Sequence, residues 1–287
     1  MATSVRPVRF GIARRSQSKE SASPIFAVVA WIVGLIVFFP VLYMVLTGFK
    51  TEAAAVDLPP RLFFAPTFEN YEAIFRIDFR PFFVNSLIAA IGSTAIVMLL
   101  GVPAAYALAL RPPKKWRDVL FFFISTKFLP PAGVIVPLYI IFRQASLLGT
   151  VQGLIILYTA MNLPIAIWML RSFLEEIPRD VLDAARVDGA GLFREMTQIV
   201  LPMVIPGIVA TVFLSIIFAW NEFFFAVSLA SVGSSTVPIF MVKFVTSEGL
   251  FWAKLSASST MAVLPIVALG WVAQRQLVRG LSMGAVK

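Results

Sequence analysis

Long uncharged stretches alternate along this chain with short segments that collect the charges and many of the prolines. Ser21 to Phe49 contains no Asp, Glu, Lys or Arg, and about 20 such residues suffice for a helix to cross a bilayer core. The run is too long for a signal-peptide core and lacks a convincing cleavage site, so it reads as a retained first span. Pro40 within it predicts a kink. Further spans are predicted between Arg80 and Arg111, then from about Val119 to Phe142, Leu148 to Leu170, Met203 to Val227 and Leu255 to Gln274. The second carries Ala89, Ala90, Gly92, Ser93, Ala95, Gly101, Ala104 and Ala105, small residues that let helices approach closely. The pattern predicts an all-α polytopic membrane protein with six transmembrane helices.

One polar segment between spans has a helical pattern of its own. After Pro178, a residue suited to a helix start, Val181, Leu182 and Ala185 share a face at helical spacing. Gly189 and Gly191 interrupt that helix and permit a tight turn. Leu192, Phe193, Met196, Ile199 and Val200 form a second apolar stripe. Pro202 and Pro206 mark the return to the membrane. The segment reads as helix, glycine turn, helix, lying on a membrane face. By pattern alone it equally suits an amphipathic loop resting on lipid headgroups.

Charge sets the topology. The chain has 287 residues, 59% of them hydrophobic, and a net charge of +9. The basic residues sit in short segments between apolar runs, which is how membrane orientation is written rather than a nucleic-acid surface. With six spans both termini lie on one side. The N-terminal tail, the second and fourth loops and the C-terminus hold sixteen Lys or Arg, against seven in the opposite loops. That excess predicts a cytoplasmic N-terminus, C-terminus and helix–turn–helix loop. The expected organisation is a basic cytoplasmic tail over residues 1–20, a first span with an ordered external loop over 21–80, a transmembrane domain over 81–278 and a cytoplasmic tail over 279–287.

The residue inventory excludes much chemistry. The chain has no cysteine and no histidine, which removes disulfides, thiol nucleophiles and His-based metal or acid–base sites. No G-x-x-x-x-G-K-[ST] segment occurs, so a phosphate cradle of that kind is absent. The carboxylates read as loop residues rather than as a pocket, and an enzymatic role has little support. Two charges at membrane depth are candidates for a translocation path. Lys127 lies inside the third span, where a charge is costly and usually faces water or a partner. It also suits an ion pair or a carbonyl cap near Pro130. Glu222, after Asn221 at the external end of the fifth span, suits a path or an interfacial position. Asn85 suits a path ligand or an interhelical hydrogen bond.

The helix–turn–helix segment resembles the EAA motif of ABC-transporter permease subunits, through Asp183, Ala184, Ala185, Asp188, Gly189, Ala190, Leu201 and Pro202. Asp183 stands where that family has Glu, keeping the charge with one methylene less reach. Ala219 to Ala226 (AWNEFFFA), Ser125 to Tyr139 and Leu277 to Lys287 are similar to stretches of carbohydrate-uptake permeases, the last to the maltose-transporter G-type subunit. The resemblance runs from about Phe26 to Lys287. It implies a subunit of the bacterial cytoplasmic (inner) membrane, with the loop as the coupling helix that docks on a separate ATPase. It further implies a second permease as heterodimer partner, two ATPase subunits and an extracytoplasmic solute-binding protein. This chain would bind no cofactor, ATP and Mg being used by the ATPase. The implied cargo is a sugar, oligosaccharide, polyol or sugar derivative. An ABC permease for a polyamine or phosphate would share the loop but not the WNEF and GAVK stretches. A secondary transporter would need no docking loop and would more often carry intramembrane carboxylates.

Overall fold

The computed structural model describes residues 24–247 and 249–285; the basic tail predicted over 1–20 and the final two residues lie outside them. The chain divides into two units, residues 1–43 and 44–287. The described part of the first is most of helix α1 (Pro24–Gly48), apolar on every face and exposed from Ile25 to Phe39. That is the surface of a helix made for lipid or for another chain.

The second unit is almost wholly helical. Short helices α2 (Glu52–Ala55) and α3 (Glu69–Arg76) precede the long α4 (Phe79–Leu110). Then follow α5 (Trp116–Ser125), α6 (Pro131–Gln144), α7 (Val151–Glu175), α8 (Arg179–Val187) and α9 (Leu192–Arg194). A π-helical turn, Glu195–Val200, runs into α10 (Leu201–Met203), and α11 (Ile205–Trp220), α12 (Phe224–Leu229) and α13 (Val237–Val242) come next. A two-residue-stranded hairpin, Val245–Thr246 with Gly249–Leu250, leads into α14 (Trp252–Ala285).

Four helices, α1, α4, α7 and α14, are each long and apolar enough to span a membrane. Six crossings result when two bent pairs each count as one. The predicted third span, read as continuous, is broken: α5 with its 3₁₀ extension to Phe128 meets α6 at 97°. Leu129 and Pro130 each precede a proline, which disfavours α-helical backbone, and both are extended. The predicted fifth span starts where expected, at a 79° bend between Leu192–Met203 and α11, but α11 stops at Trp220 instead of running to Val227. The sixth continues past Gln274 to Ala285. The fourth extends past Leu170, so Arg171 is helical rather than the first loop residue.

Small residues set the packing. The most extensive helix pair is α4 with α7, and α4 buries Ala89, Ala90, Ser93, Val97, Gly101 and Ala105 at three- and four-residue spacing. Gly207 of α11 lies so close to α7 that a Cβ there would fall 2.3 Å from Phe173 Cγ. At one end of α4, Asn70 donates to the carbonyls of Gly48 and Lys50 at 3.0 and 2.6 Å. There the Glu52 carboxylate caps α14 by accepting from the amides of Ala253 and Lys254. The segment predicted as an ordered extramembrane loop is thus tied to two helix ends.

Candidate functional site

The helix–turn–helix segment is built as a stiff bracket. Pro178, extended, starts α8, and Leu182 and Ala185 turn inward while Val181 remains exposed. The helix ends in a Schellman arrangement: the Ala190 amide donates to the Ala185 carbonyl at 2.9 Å and the Gly189 amide to the Arg186 carbonyl at 3.1 Å. Gly189 has φ +77, the left-handed region that glycine enters without penalty. The Asp188 amide donates to the Ala184 carbonyl at 3.0 Å. The Asp183 carboxylate pairs with Arg186 at 3.2 Å. Asp183, Ala184, Asp188 and Gly189 are exposed, and Ala190 is half-buried. Leu201 and Pro202 lie in α10, half-buried and exposed respectively.

The tip of the bracket carries apolar side chains facing away from the protein. Val187 is 88% exposed and Phe193 is 76% exposed, with Leu192 beside them in sequence. Met196 and Val200, from the second predicted stripe, pack inward instead.

Sequence reasoning missed the residue that fastens the bracket. Glu195, one acidic residue in a charged loop, is 0% exposed. Its carboxylate accepts from Tyr106 Oη at 2.5 Å, Arg111 Nη2 at 3.1 Å, Arg186 Nε at 3.0 Å and Arg186 Nη2 at 3.3 Å. The hydrogen bonds to Glu195 raise the Arg186 guanidinium above its already high ordinary pKa, against the opposing effect of burial and with help from the charges of Glu195 and Asp183. The surrounding apolar cluster includes Ala105, Leu170, Leu174, Leu182 and Val204.

Each of the four candidate path residues bonds to backbone groups. Asn85 donates to the carbonyls of Gly233 and Ser235, both at 3.0 Å, and so pins the loop before α13 to α4. Asn221 donates back to the Ile217 carbonyl at 2.8 Å and closes the end of α11. Glu222 caps α12, accepting from the amides of Phe225 and Ala226 at 2.9 Å each. Lys127 donates from Nζ to the Met161 carbonyl of α7 at 2.8 Å. That is a carbonyl cap, set on α7 near Pro164 rather than at the Pro130 junction. Lys127 also lines a cavity of about 310 Å³ at the break between α5 and α6, with Leu129, Val134, Leu157, Met161 and Phe225 among its walls. It is the sole charged group among those lining residues.

Residues 97–282 match the family described as binding-protein-dependent transport system inner membrane component, and the chain belongs to that family of ABC-transporter permeases. It is 33% identical over 270 residues to the sulfoquinovosyl glycerol transport system permease protein SmoH of Agrobacterium fabrum, covering 93% of this chain and 95% of that one. It is 36% identical over 226 residues to the trehalose transport system permease protein SugB of Mycobacterium tuberculosis, covering 77% and 82%. In structure it is similar to a chain of a bacterial ABC transporter involved in the import of the acidic polysaccharide alginate. There the TM-score is 0.72 at 21% identity, with 88% of this chain and 95% of that one covered.

Proposed function

We propose that this chain is one permease subunit of an ATP-driven importer carrying a sugar, oligosaccharide, polyol or sugar derivative across the bacterial inner membrane. The observation that carries the mechanism is the α8–turn–α9 bracket, with its exposed apolar tip and rigid glycine turn. On this reading Val187 and Phe193 seat on a separate ATPase subunit on the cytoplasmic side. ATP and Mg act there, and the loop residues Asp183 to Ala190 transmit the motion. This chain then performs no hydrolysis itself. The permease names of its relatives, for sulfoquinovosyl glycerol and trehalose, support the carbohydrate class. A second permease, two ATPase subunits and a solute-binding protein complete the transporter, and both termini are cytoplasmic. Lys127, at the wall of the cavity where the third span breaks, is the residue of this chain assigned to the path.

The test is reconstitution of the complete transporter in proteoliposomes. Uptake is expected to require ATP and the loaded binding protein, and to persist when the membrane potential is collapsed. Uptake that stops with the potential while ATP is intact would point instead to secondary transport.

A further inference from the structure

Glu195 joins three separate parts of the chain through one carboxylate. Tyr106 and Arg111 belong to the C-terminal end of α4, the longest apolar helix of the second unit before the bracket. Arg186 belongs to the last turn of α8, just before the glycine turn. Glu195 itself opens the π-helical turn of the second arm. The register of that turn matters. In an α-helix, residues five apart point about 140° from one another. The wider π-helix, with its i→i+5 bonds, brings them back toward one face. Glu195 and Val200 are five apart and both are fully buried.

From this geometry we propose that Glu195 is the positioning residue that makes the bracket and α4 move as one body. A push on α8 then reaches the membrane rather than being absorbed by the loop. This rests on the coupling reading of the bracket. The chemistry favours a stiff joint. Each carboxylate oxygen accepts two donors, and a buried carboxylate that loses its partners is strongly disfavoured. Losing any of these donors leaves the buried carboxylate short of a partner, so the joint resists opening. The Glu195 carboxylate is buried beside apolar residues of α4, α7 and α8, while Arg111 and Arg186 reach it from the surface with side chains 44% and 41% exposed.

The experiment uses the complete reconstituted transporter and reads three quantities: subunit content after purification, basal ATP hydrolysis, and the stimulation of hydrolysis by the loaded binding protein. Glu195→Gln keeps the size but presents an NH₂ group to donors. It is expected to assemble with normal basal hydrolysis while stimulation falls about tenfold, within the usual range of allosteric coupling. Glu195→Asp, which keeps the charge with less reach, is expected to recover part of the stimulation, as a merely space-filling residue would not. Tyr106→Phe deletes the one hydroxyl donor from α4 and leaves both arginines in place. It serves as the second variant should Glu195→Gln fail to assemble, and is expected to lower stimulation in an intact complex. Wild-type stimulation in an assembled Glu195→Gln complex overturns the proposal. So does loss of assembly in both variants, which would make the cluster a structural pin. Gly189→Val in the same assay separates the two readings. If Gly189→Val uncouples and Glu195→Gln does not, only the joint is refuted; if neither uncouples, the docking reading falls with it.

Discussion

Polar side chains near the predicted spans divide into those already occupied and those with chemistry to spare. Asn85, Asn221 and Glu222 spend their hydrogen bonds on backbone groups, closing helix ends and pinning a loop. For Glu222 this makes a sharp prediction. Glu222→Gln keeps one oxygen acceptor for the start of α12 and removes the charge, so uptake should stay near wild type. Glu222→Ala removes the cap and should lower the melting temperature of the purified complex, by a stability loss of about 1 kcal/mol. Abolished uptake in Glu222→Gln, with assembly intact, would show that the charge itself is needed. Lys127 differs, because one bond to Met161 leaves the ammonium on a cavity wall without a carboxylate within 4.0 Å among the described residues. Lys127→Met is expected to reduce uptake while the subunit still assembles, as judged by co-purification of its partners. A subunit that no longer accumulates would make the cap on α7 its main role. A carbonyl cap for Lys127 and an interhelical bond for Asn85 were among the readings the sequence allowed, but their partners were not legible in it. A polar residue near a helix end looks the same whether it faces a solute or a carbonyl, and the partner of Asn85 lies 148 residues away.

Among the elements, the glycine turn and the α7–α11 contact are the places where a single methyl group should matter, for opposite reasons. At Gly189 nothing lies within 4 Å of where a Cβ would sit, yet φ is +77, so the cost of a side chain is strain and not collision. Gly189→Asn, which tolerates the left-handed region, should retain stimulated hydrolysis. Gly189→Val should lose it while the protein still inserts and binds its partner permease, because a β-branched residue at positive φ is a genuine outlier. Equal loss in both would trace the effect to a contact with the ATPase rather than to the turn. At Gly207 the reverse holds. A Cβ there would overlap Phe173, and overpacking commonly costs about 1–3 kcal/mol. Gly207→Ala should therefore lower thermal stability, and its cost should be smaller in a Phe173→Ala background, which removes the Cγ and Cδ2 that the methyl would meet; an equal cost there would refute the contact. The turn was legible, since glycine between two amphipathic stripes admits few alternatives. So were the four unbroken spans, whose apolar runs exceed the bilayer core. The 97° break at Pro130 was not, because hydropathy continues through it and two prolines fit a kink as well as a corner. Glu195 was hidden for a related reason: its burial depends on Tyr106 and Arg111, 89 and 84 residues earlier.

At the scale of the whole molecule, α4 acts as a ruler. Its 32 residues extend about 48 Å at 1.5 Å each, more than the ~30 Å hydrocarbon core and enough to clear the headgroups. Its two ends therefore lie on opposite sides of the membrane. The segment holding α2 and α3 leads into the first end through Arg76 and Phe79. The bracket is bonded to the second end through Tyr106 and Arg111. Helix length alone thus separates Phe63 from Val187, with no appeal to charge. The excess of basic residues is the ground on which Val187 is proposed to face the cytoplasm. The chain contains no cysteine, so single reporters can be introduced at these two positions, 95% and 88% exposed. In intact cells a membrane-impermeant thiol reagent is expected to label Phe63→Cys and spare Val187→Cys. In permeabilised cells lacking the ATPase subunits it should label both. Labelling of both from outside would break the crossing by α4. Exchanged labelling would keep the fold but turn the bracket away from ATP, and the coupling reading would fall with it. Restoring the ATPase subunits supplies a further check: if Val187 sits at the docked surface, its labelling should drop when they are present, while labelling at Phe63 stays unchanged.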